Sequence, residues 1–199
     1  TFATRWLLPR MAGFQRAAPG IAVHFTSRTT PFLFDGTPFD AAIYAGLAGW
    51  PATESRFLMR ETLIVVGHPA LAANGPLAPA RIASLPLLQQ TTRPYVWRQW
   101  FESLGLAVAQ DMTGQRMELF SMLSEAAADG LGVALVPPFL VEHDLAQGRL
   151  ARLTDHEFRS DRSYYLIYPE TKSENPGLAA FREWLDVEAR RYRTSAGLG

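Results

Sequence analysis

Residues 125–141 read EAAADGLGVALVPPFLV, and this stretch decides the fold that we expect. The three alanines at 126–128 are strong helix formers, and Gly130 suits the left-handed backbone that ends a helix. The apolar run at 133–136 shows no alternation, as in a strand buried on both faces. The double proline at 137–138 ends the strand, because proline cannot donate to a sheet ladder. The stretch therefore predicts half of an α/β unit, and open α/β sheets place ligands at such strand ends.

The composition is that of a globular protein of 199 residues, long enough for one domain or two small lobes. Hydrophobic residues make up 48% of the chain, which argues against disorder. The 19 basic and 19 acidic side chains cancel, whereas a stand-alone nucleic-acid binder normally carries a basic excess. The lack of cysteine excludes disulfides and thiolate metal sites. No apolar run approaches the roughly 20 residues that span a bilayer, and we recognise no signal peptide.

Apolar periodicity and turn residues predict a chain in which helices and strands alternate. Helices are predicted over residues 2–18, 79–85, 94–104, 116–129 and 177–192. Strands are predicted over residues 21–25, 39–44, 56–67, 87–88, 108–112, 133–136, 150–153 and 163–168, with a helical turn at 30–34 and a loop at 46–49. This alternation favours parallel sheets with helices on both faces. It fits two lobes between which the chain crosses twice, near Gly67 and near Ser163.

Four stretches together resemble one protein family. They are TFATRWLLPRMAGFQRAAPGIAVHF at 1–25, FDAAIYAG at 39–46, the stretch at 125–141, and GLAAFREWLDVEARR at 177–191. In this order and spacing they resemble the effector-binding domain of LysR-type transcriptional regulators. Within that family they are most similar to the glycine-cleavage-activator and β-lactamase-regulator branch, which the spacing of Trp97 and Trp100 also suits.

The resemblance implies an α/β, periplasmic-binding-protein-like fold of two Rossmann-like lobes joined by two crossover strands. Lobe I would comprise residues 1–66 and 165–199, and lobe II residues 67–164. The first strand of lobe I, a linker helix and a winged helix-turn-helix domain would precede Thr1 and are absent from this chain. The β-lactamase-regulator branch carries paired serines at the head of its lobe II helix. Leu119 and Phe120 stand at those positions here, which argues against a muropeptide ligand.

The resemblance also implies a function and partners. The chain would be the sensing domain of a bacterial, cytoplasmic transcription regulator that holds a small polar effector in the interlobe cleft. It would form a homodimer, bind DNA only through the missing N-terminal domain, and need no cofactor, metal or membrane.

We expect the effector to meet four polar segments that each directly precede a predicted helix, because helix N-termini offer free N–H groups to anions. The predicted effector-binding residues are Thr1, Phe2, Thr4, Thr29, Thr30, Thr91, Thr92, Arg93, Tyr95, Trp97, Gln115 and Met117. Arg28 or Arg93 would pair with a ligand carboxylate through two parallel hydrogen bonds. The alternative is that the threonines only cap helices and that the aromatic residues belong to the core.

Two other functions were weighed. A periplasmic-type solute-binding protein has the same fold and stays open as the alternative, which the gene sequence upstream of Thr1 would distinguish. An enzyme is disfavoured because the sequence has no nucleophile elbow, phosphate loop or zinc spacing, and its four histidines are scattered. We interpret His143 and Asp144 as a surface loop pair.

Overall fold

The computed structural model describes residues 1–30, 32–47 and 49–196, and the chain divides into two compact units. Unit 1 consists of Thr1–Leu7 and Thr62–Phe158, and unit 2 of Leu8–Glu61 and Arg159–Gly199. The lobe boundaries inferred from the sequence, at 66/67 and 164/165, stay a prediction. The two chain crossings at 61/62 and 158/159 lie in two long strands, Thr53–Gly67 and Phe158–Pro169.

Helices and strands are mixed along the described chain. The α-helices are Met11–Ala17 (α1), Pro79–Ala83 (α2), Val96–Glu102 (α3), Phe120–Ala128 (α4), Glu142–Ala146 (α5) and Pro176–Ser195 (α6). The strands are Ala42–Gly46 (β1), Thr53–Gly67 (β2), Gln89–Gln90 (β3), Arg116–Met117 (β4), Ala134–Val136 (β5), Ala151–Arg152 (β6) and Phe158–Pro169 (β7). Shorter helical segments are Ala3–Leu7 (π) and Leu8–Arg10, Pro69–Ala72, Pro138–Leu140 and Glu170–Lys172 (3-10). None of the helices in the described part of the chain is long and apolar enough to span a membrane.

The stretch at 125–141 folds as its residues predict. Helix α4 ends at Ala128, and Gly130 takes the left-handed conformation at a φ of 80°. The N–H of Leu131 then bonds to the carbonyl of Ala126, 2.9 Å away, which closes the end of the helix. Strand β5 is buried along its whole length. Pro138 opens a 3-10 turn directly after it, so the double proline stops the strand.

Gly130 gives a first testable prediction. We expect Gly130→Val to lower the free energy of unfolding by about 1 kcal/mol or more, because a β-branched residue is strained at positive φ. A Cβ atom at Gly130 would meet no other atom within 4 Å, so the cost comes from the backbone and not from a clash. Urea denaturation monitored by circular dichroism measures the change. An unchanged midpoint would show that the helix end does not need glycine.

Unit 1 combines antiparallel and parallel pairing. Strand β2 pairs antiparallel with β5 and β6. Strands β3 and β4 are parallel, and Leu87 forms a parallel bridge with Val133. The prediction of parallel sheets therefore holds for β3, β4 and the bridge at Leu87, and is wrong for the pairs that β2 forms with β5 and β6. Parallel pairing needs a crossover connection, usually a helix. Helix α3 supplies one between β3 and β4.

Unit 2 is built on the two long strands. Strand β1 pairs antiparallel with β7, from Ala42↔Ile167 to Gly46↔Ser163, and β7 lies beside β2 in the strand order. Helix α1 packs on α6 through Phe14, whose ring centroid lies 5.4 Å from Phe181 and 5.3 Å from Trp184. The final helix thus uses one apolar face as its period predicts.

Two predicted strands are wrong. Residues 21–25 are mostly apolar, but they form no strand, since a local apolar run does not reveal whether a ladder partner exists. Residues 108–112 form turns instead, in which the N–H of Asp111 bonds to the carbonyl of Val108. The carboxylate of Asp111 is buried and accepts two hydrogen bonds from Arg98, at 2.8 and 3.1 Å. This pairing fixes the segment as a turn.

The structure bears on three further predictions made from the sequence. The helix predicted from 116 begins only at Phe120, because Arg116 and Met117 pair with β3. Asp144 is not a surface loop residue, since it lies in α5 and is buried. The turn predicted at 30–34 and the loop predicted at 46–49 include Pro31 and Ala48, which lie outside the described residues.

Candidate functional site

The ends of β3 and β4 bring two predicted site segments together in unit 1. Gln90 stands opposite Met117 in the parallel pair, so both strands end at the same edge. Thr91 follows β3 and bonds twice to the carbonyl of Met117, through its N–H at 2.9 Å and its hydroxyl at 3.1 Å. The loop after β3 is therefore fixed beside the residues that lead into α4.

The N-terminus of α4 is capped by a residue remote in sequence. Its own N-cap residue, Leu119, has no side chain that can accept a hydrogen bond. Instead the N–H of Ser121 donates to the hydroxyl oxygen of Thr1 at 3.0 Å, and the Thr1 hydroxyl donates to the Ser121 hydroxyl oxygen at 3.2 Å. Thr4 in turn donates to the Thr1 carbonyl at 3.0 Å. Thr1 thus takes the capping role weighed for it, at a helix distant in the sequence.

Side chains from the loop after β3 complete the junction. The Gln90 side-chain amide donates to the carbonyl of Glu118 at 2.7 Å, just before α4. The Arg93 guanidinium donates to the Thr92 hydroxyl at 3.0 Å and lies 4.8 Å from the ring centroid of Phe120. Three segments distant in sequence, around residues 1, 90–93 and 117–121, therefore meet in unit 1. We call this junction the α4 edge.

The aromatic residues that were predicted to contact the effector differ in their burial. Trp97 is fully buried, and its indole N–H donates to the carbonyl of Leu88 at 2.9 Å. Its position is the core alternative weighed for the aromatic residues, and the buried Trp100 and Phe101 share it. Tyr95 is 55% exposed, and Phe2 packs on Trp6 and Phe139 within unit 1. A ligand-binding role for these residues stays a prediction.

The remaining predicted residues fall into two groups. In unit 1, Gln115 is exposed while its carbonyl accepts the N–H of Gln89 at 2.8 Å, and Met117 is half-buried. In unit 2, Thr29 and Thr30 are exposed, and the Arg28 guanidinium stacks on two phenylalanine rings, those of Phe32 and Phe39. The α4 edge therefore includes Thr1, Thr91, Thr92, Arg93 and Met117 from the predicted set.

Two residues of the α4 edge escaped the sequence analysis. Ser121 lies one position beyond the pair where paired serines were sought, and only the true helix start at Phe120 places it in the first turn. Gln90 is 3% exposed, and a glutamine in a short buried strand gives no sequence signal of a site. Its burial is visible only in the structure, where it marks Gln90 as a polar side chain that needs partners.

A charged cluster fastens the segment that carries Thr1. The Arg5 guanidinium lies 3.3 Å from the buried carboxylate of Asp144 and 3.5 Å from Glu125. Arg149 pairs with the same two acids, at 3.1 Å and 2.5 Å respectively. The hydrogen bond from Arg149 holds the pKa of Glu125 below its ordinary value, although partial desolvation opposes the shift. Within the described residues, no group of three or more histidines and acids is arranged to hold a metal ion.

A family model for the LysR substrate binding domain matches residues 1–189. The chain belongs to this family. Among curated relatives, it is 38% identical to the HTH-type transcriptional regulator TrpI of Pseudomonas aeruginosa, over 91% of this chain and 62% of the relative. It is 31% identical to the glycine cleavage system transcriptional activator of Escherichia coli K12, over 95% of this chain and 62% of the relative. The chain thus spans about three-fifths of the length of these regulators.

Solved structures agree with the family assignment. The effector domain of the transcriptional regulator AmpR of Pseudomonas aeruginosa matches with a TM-score of 0.88 and 28% identity, over 98% of this chain and 94% of that one. The AmpR effector-binding domain of Citrobacter freundii matches with a TM-score of 0.84 and 26% identity, over 96% and 94%. The mixed α/β fold is therefore the periplasmic-binding-protein-like fold of LysR effector-binding domains, as predicted. The relatives are named as regulators, which are not enzymes.

Proposed function

We propose that the chain is the ligand-sensing domain of a bacterial LysR-type regulator and binds a small polar effector at the α4 edge. Membership of the LysR family supports the regulatory role. The cytoplasmic location, the homodimer and DNA binding through a separate N-terminal domain are parts of the same proposal, drawn from the family resemblance.

One observation carries the choice of site. Thr1, the loop after β3 and the head of α4 are far apart in sequence, yet their polar groups are joined by direct hydrogen bonds. Hydroxyl groups beside a helix N-terminus and a guanidinium suit an anionic or strongly polar ligand group. Helix capping alone explains the bond between Thr1 and Ser121, but not the presence of Thr92 and Arg93 beside it.

The effector is sought by thermal-shift screening of a metabolite panel, followed by calorimetry. We expect Thr92→Val and Ser121→Ala each to weaken binding of a hit about tenfold, the effect of losing one hydrogen bond to a charged group. Thr194→Val, on the exposed side of α6, is the matched control and should bind as the parent does. A hit that binds both edge variants with the affinity of the parent would place the site elsewhere.

The solute-binding alternative is not favoured, because the curated relatives are named as transcriptional regulators. The gene upstream of Thr1 provides the decisive observation. A winged helix-turn-helix coding sequence supports the regulator, whereas an export signal would support the transport receptor.

A further inference from the structure

The hydroxyl of Thr92 can form a further hydrogen bond only as a donor. Its oxygen accepts a hydrogen bond from the side-chain amide nitrogen of Gln90 at 3.2 Å and another from the Arg93 guanidinium at 3.0 Å. A threonine hydroxyl has two acceptor lone pairs and one proton. Both lone pairs are occupied, so only the proton remains, and it has no acceptor among the described residues.

Neither of the two donors, Arg93 and the Gln90 amide nitrogen, can become an acceptor towards Thr92. A guanidinium only donates, and Arg93 is almost fully buried against Phe120. The amide orientation of Gln90 is fixed because its nitrogen also donates to the Glu118 carbonyl, which only accepts. Rotating this amide would set its oxygen against the Glu118 carbonyl. Gln90 therefore keeps the Thr92 oxygen occupied as an acceptor.

Neighbouring threonines show the contrast. The hydroxyl of Thr91 gives its proton to the Met117 carbonyl at 3.1 Å, and that of Thr113 gives its proton to the Gln110 carbonyl at 2.7 Å. Their protons are used within the protein. Among the described residues the Thr92 proton has no such acceptor, and the Thr92 side chain is half-exposed and so within reach of a ligand.

We propose that Gln90 is a positioning residue that makes Thr92 an obligate hydrogen-bond donor, so that the α4 edge selects a ligand oxygen that only accepts, a carboxylate or phosphate oxyanion. This rests on the proposed function and adds the chemistry of the group that is bound. A ligand ammonium group would meet the Thr92 proton and the Arg93 guanidinium at this place, because the Gln90 side-chain oxygen, an acceptor without a partner among the described residues, is fully buried. It would be rejected, because its N–H groups and the Thr92 hydroxyl would both be hydrogen-bond donors, and neither would have an acceptor.

The test titrates the ¹⁵N-labelled domain with sodium acetate, inorganic phosphate or ethylammonium chloride at matched ionic strength. We expect both oxyanions to shift the amide resonances of Thr92 and Ser121 in a saturable way. The stronger of the two tells a carboxylate site from a phosphate site. Ethylammonium should leave these resonances unchanged. Equal responses to ethylammonium and the oxyanions, or no response to either oxyanion, would overturn the inference.

A double-mutant cycle tests the role of Gln90. Gln90→Met keeps the shape but removes the donor, so Thr92 is free to turn its proton inward, and we expect about tenfold weaker oxyanion binding. Thr92→Val should cost about the same, and the double variant no more than Thr92→Val alone, because Gln90 acts through that hydroxyl. Additive losses, or no loss in Gln90→Met, would contradict the positioning role. Gln99→Met, exposed on α3, is the matched control.

A second comparison does not depend on Gln90→Met folding. Thr92→Ser keeps the hydroxyl and should retain oxyanion binding, while Thr92→Val should lose it. Equal binding by these two variants would overturn the inference. A neutral or cationic metabolite that binds the domain and shifts Thr92 would uphold the proposed function but overturn the oxyanion selection. If oxyanions bind at Thr92 but no metabolite in the panel binds the domain, the oxyanion selection would be upheld and the proposed function would be overturned.

Discussion

Replacement of Asp144 with alanine is expected to lower the free energy of unfolding by about 3 kcal/mol, because it breaks a buried ion cluster. Asp144 is 1% exposed, and its carboxylate lies within 3.3 Å of Arg5 and 3.1 Å of Arg149. Without the carboxylate, the only ion pair that Arg5 keeps among the described residues is the 3.5 Å contact with Glu125. Since Arg5 belongs to the segment that carries Thr1, the cap on α4 should loosen as well.

Two measurements check this expectation. Urea denaturation gives the change in the free energy of unfolding, and hydrogen exchange of the Ser121 amide reports whether its bond to Thr1 opens more often. Asp144→Asn is the isosteric variant and should lose most of the same stability, since it removes the charge and keeps the shape. An Asp144→Ala variant as stable as the parent would show that the cluster contributes nothing net.

Glu125→Gln is the matched control within the same cluster. The Glu125 side chain is 48% exposed, so its ion pairs should contribute less than about 1 kcal/mol. Because Arg149 lowers the pKa of Glu125 below its ordinary 4.5, this contribution is present above pH 4.5. It is lost as pH falls through the lower pKa of the folded state. If Glu125→Gln lost as much unfolding free energy as Asp144→Ala, burial would not determine how much an acid of this cluster contributes to stability.

The sequence predicted the fold where local rules and burial agree. The stretch at 125–141 combines helix formers, a left-handed glycine and an unbroken apolar run, and each of these acts locally. Residues 21–25 have the strand pattern but form no strand, because pairing depends on a partner that a local pattern does not contain. The strand predicted at 108–112 was wrong for a similar reason, since Asp111 in this segment pairs with Arg98, which lies outside it.

The candidate site was predicted in part. Thr91, Thr92 and Arg93 were found because a polar run before a helix is visible in one segment. Ser121 and Gln90 were missed because their roles arise from partners at Thr1 and Thr92. The direction in which a hydroxyl donates is set by all of its neighbours together, so only the folded arrangement shows it.

The second large effect is expected at Gly114. We expect Gly114→Ala to lower the free energy of unfolding by about 3 kcal/mol or more, from backbone strain and overpacking together. Gly114 has a φ of 122°, a conformation that side chains other than glycine rarely adopt. A Cβ atom there would lie 2.1 Å from the carbonyl oxygen of Leu87, so backbone would have to move.

This close approach matters for the α4 edge. The buried Gln89 amide bonds the loop before β4 to the strand through the carbonyls of Thr113 and Leu87, at 2.8 and 3.2 Å. Displacing the loop would shift β4, and with it the Met117 carbonyl that holds Thr91. Gly75→Ala has a similar φ of 97° but no atom within 4 Å, so it should cost only about 1 kcal/mol from backbone strain. Denaturation midpoints compare the two variants, and equal losses would show that strain alone, and not the contact with Leu87, explains the glycine.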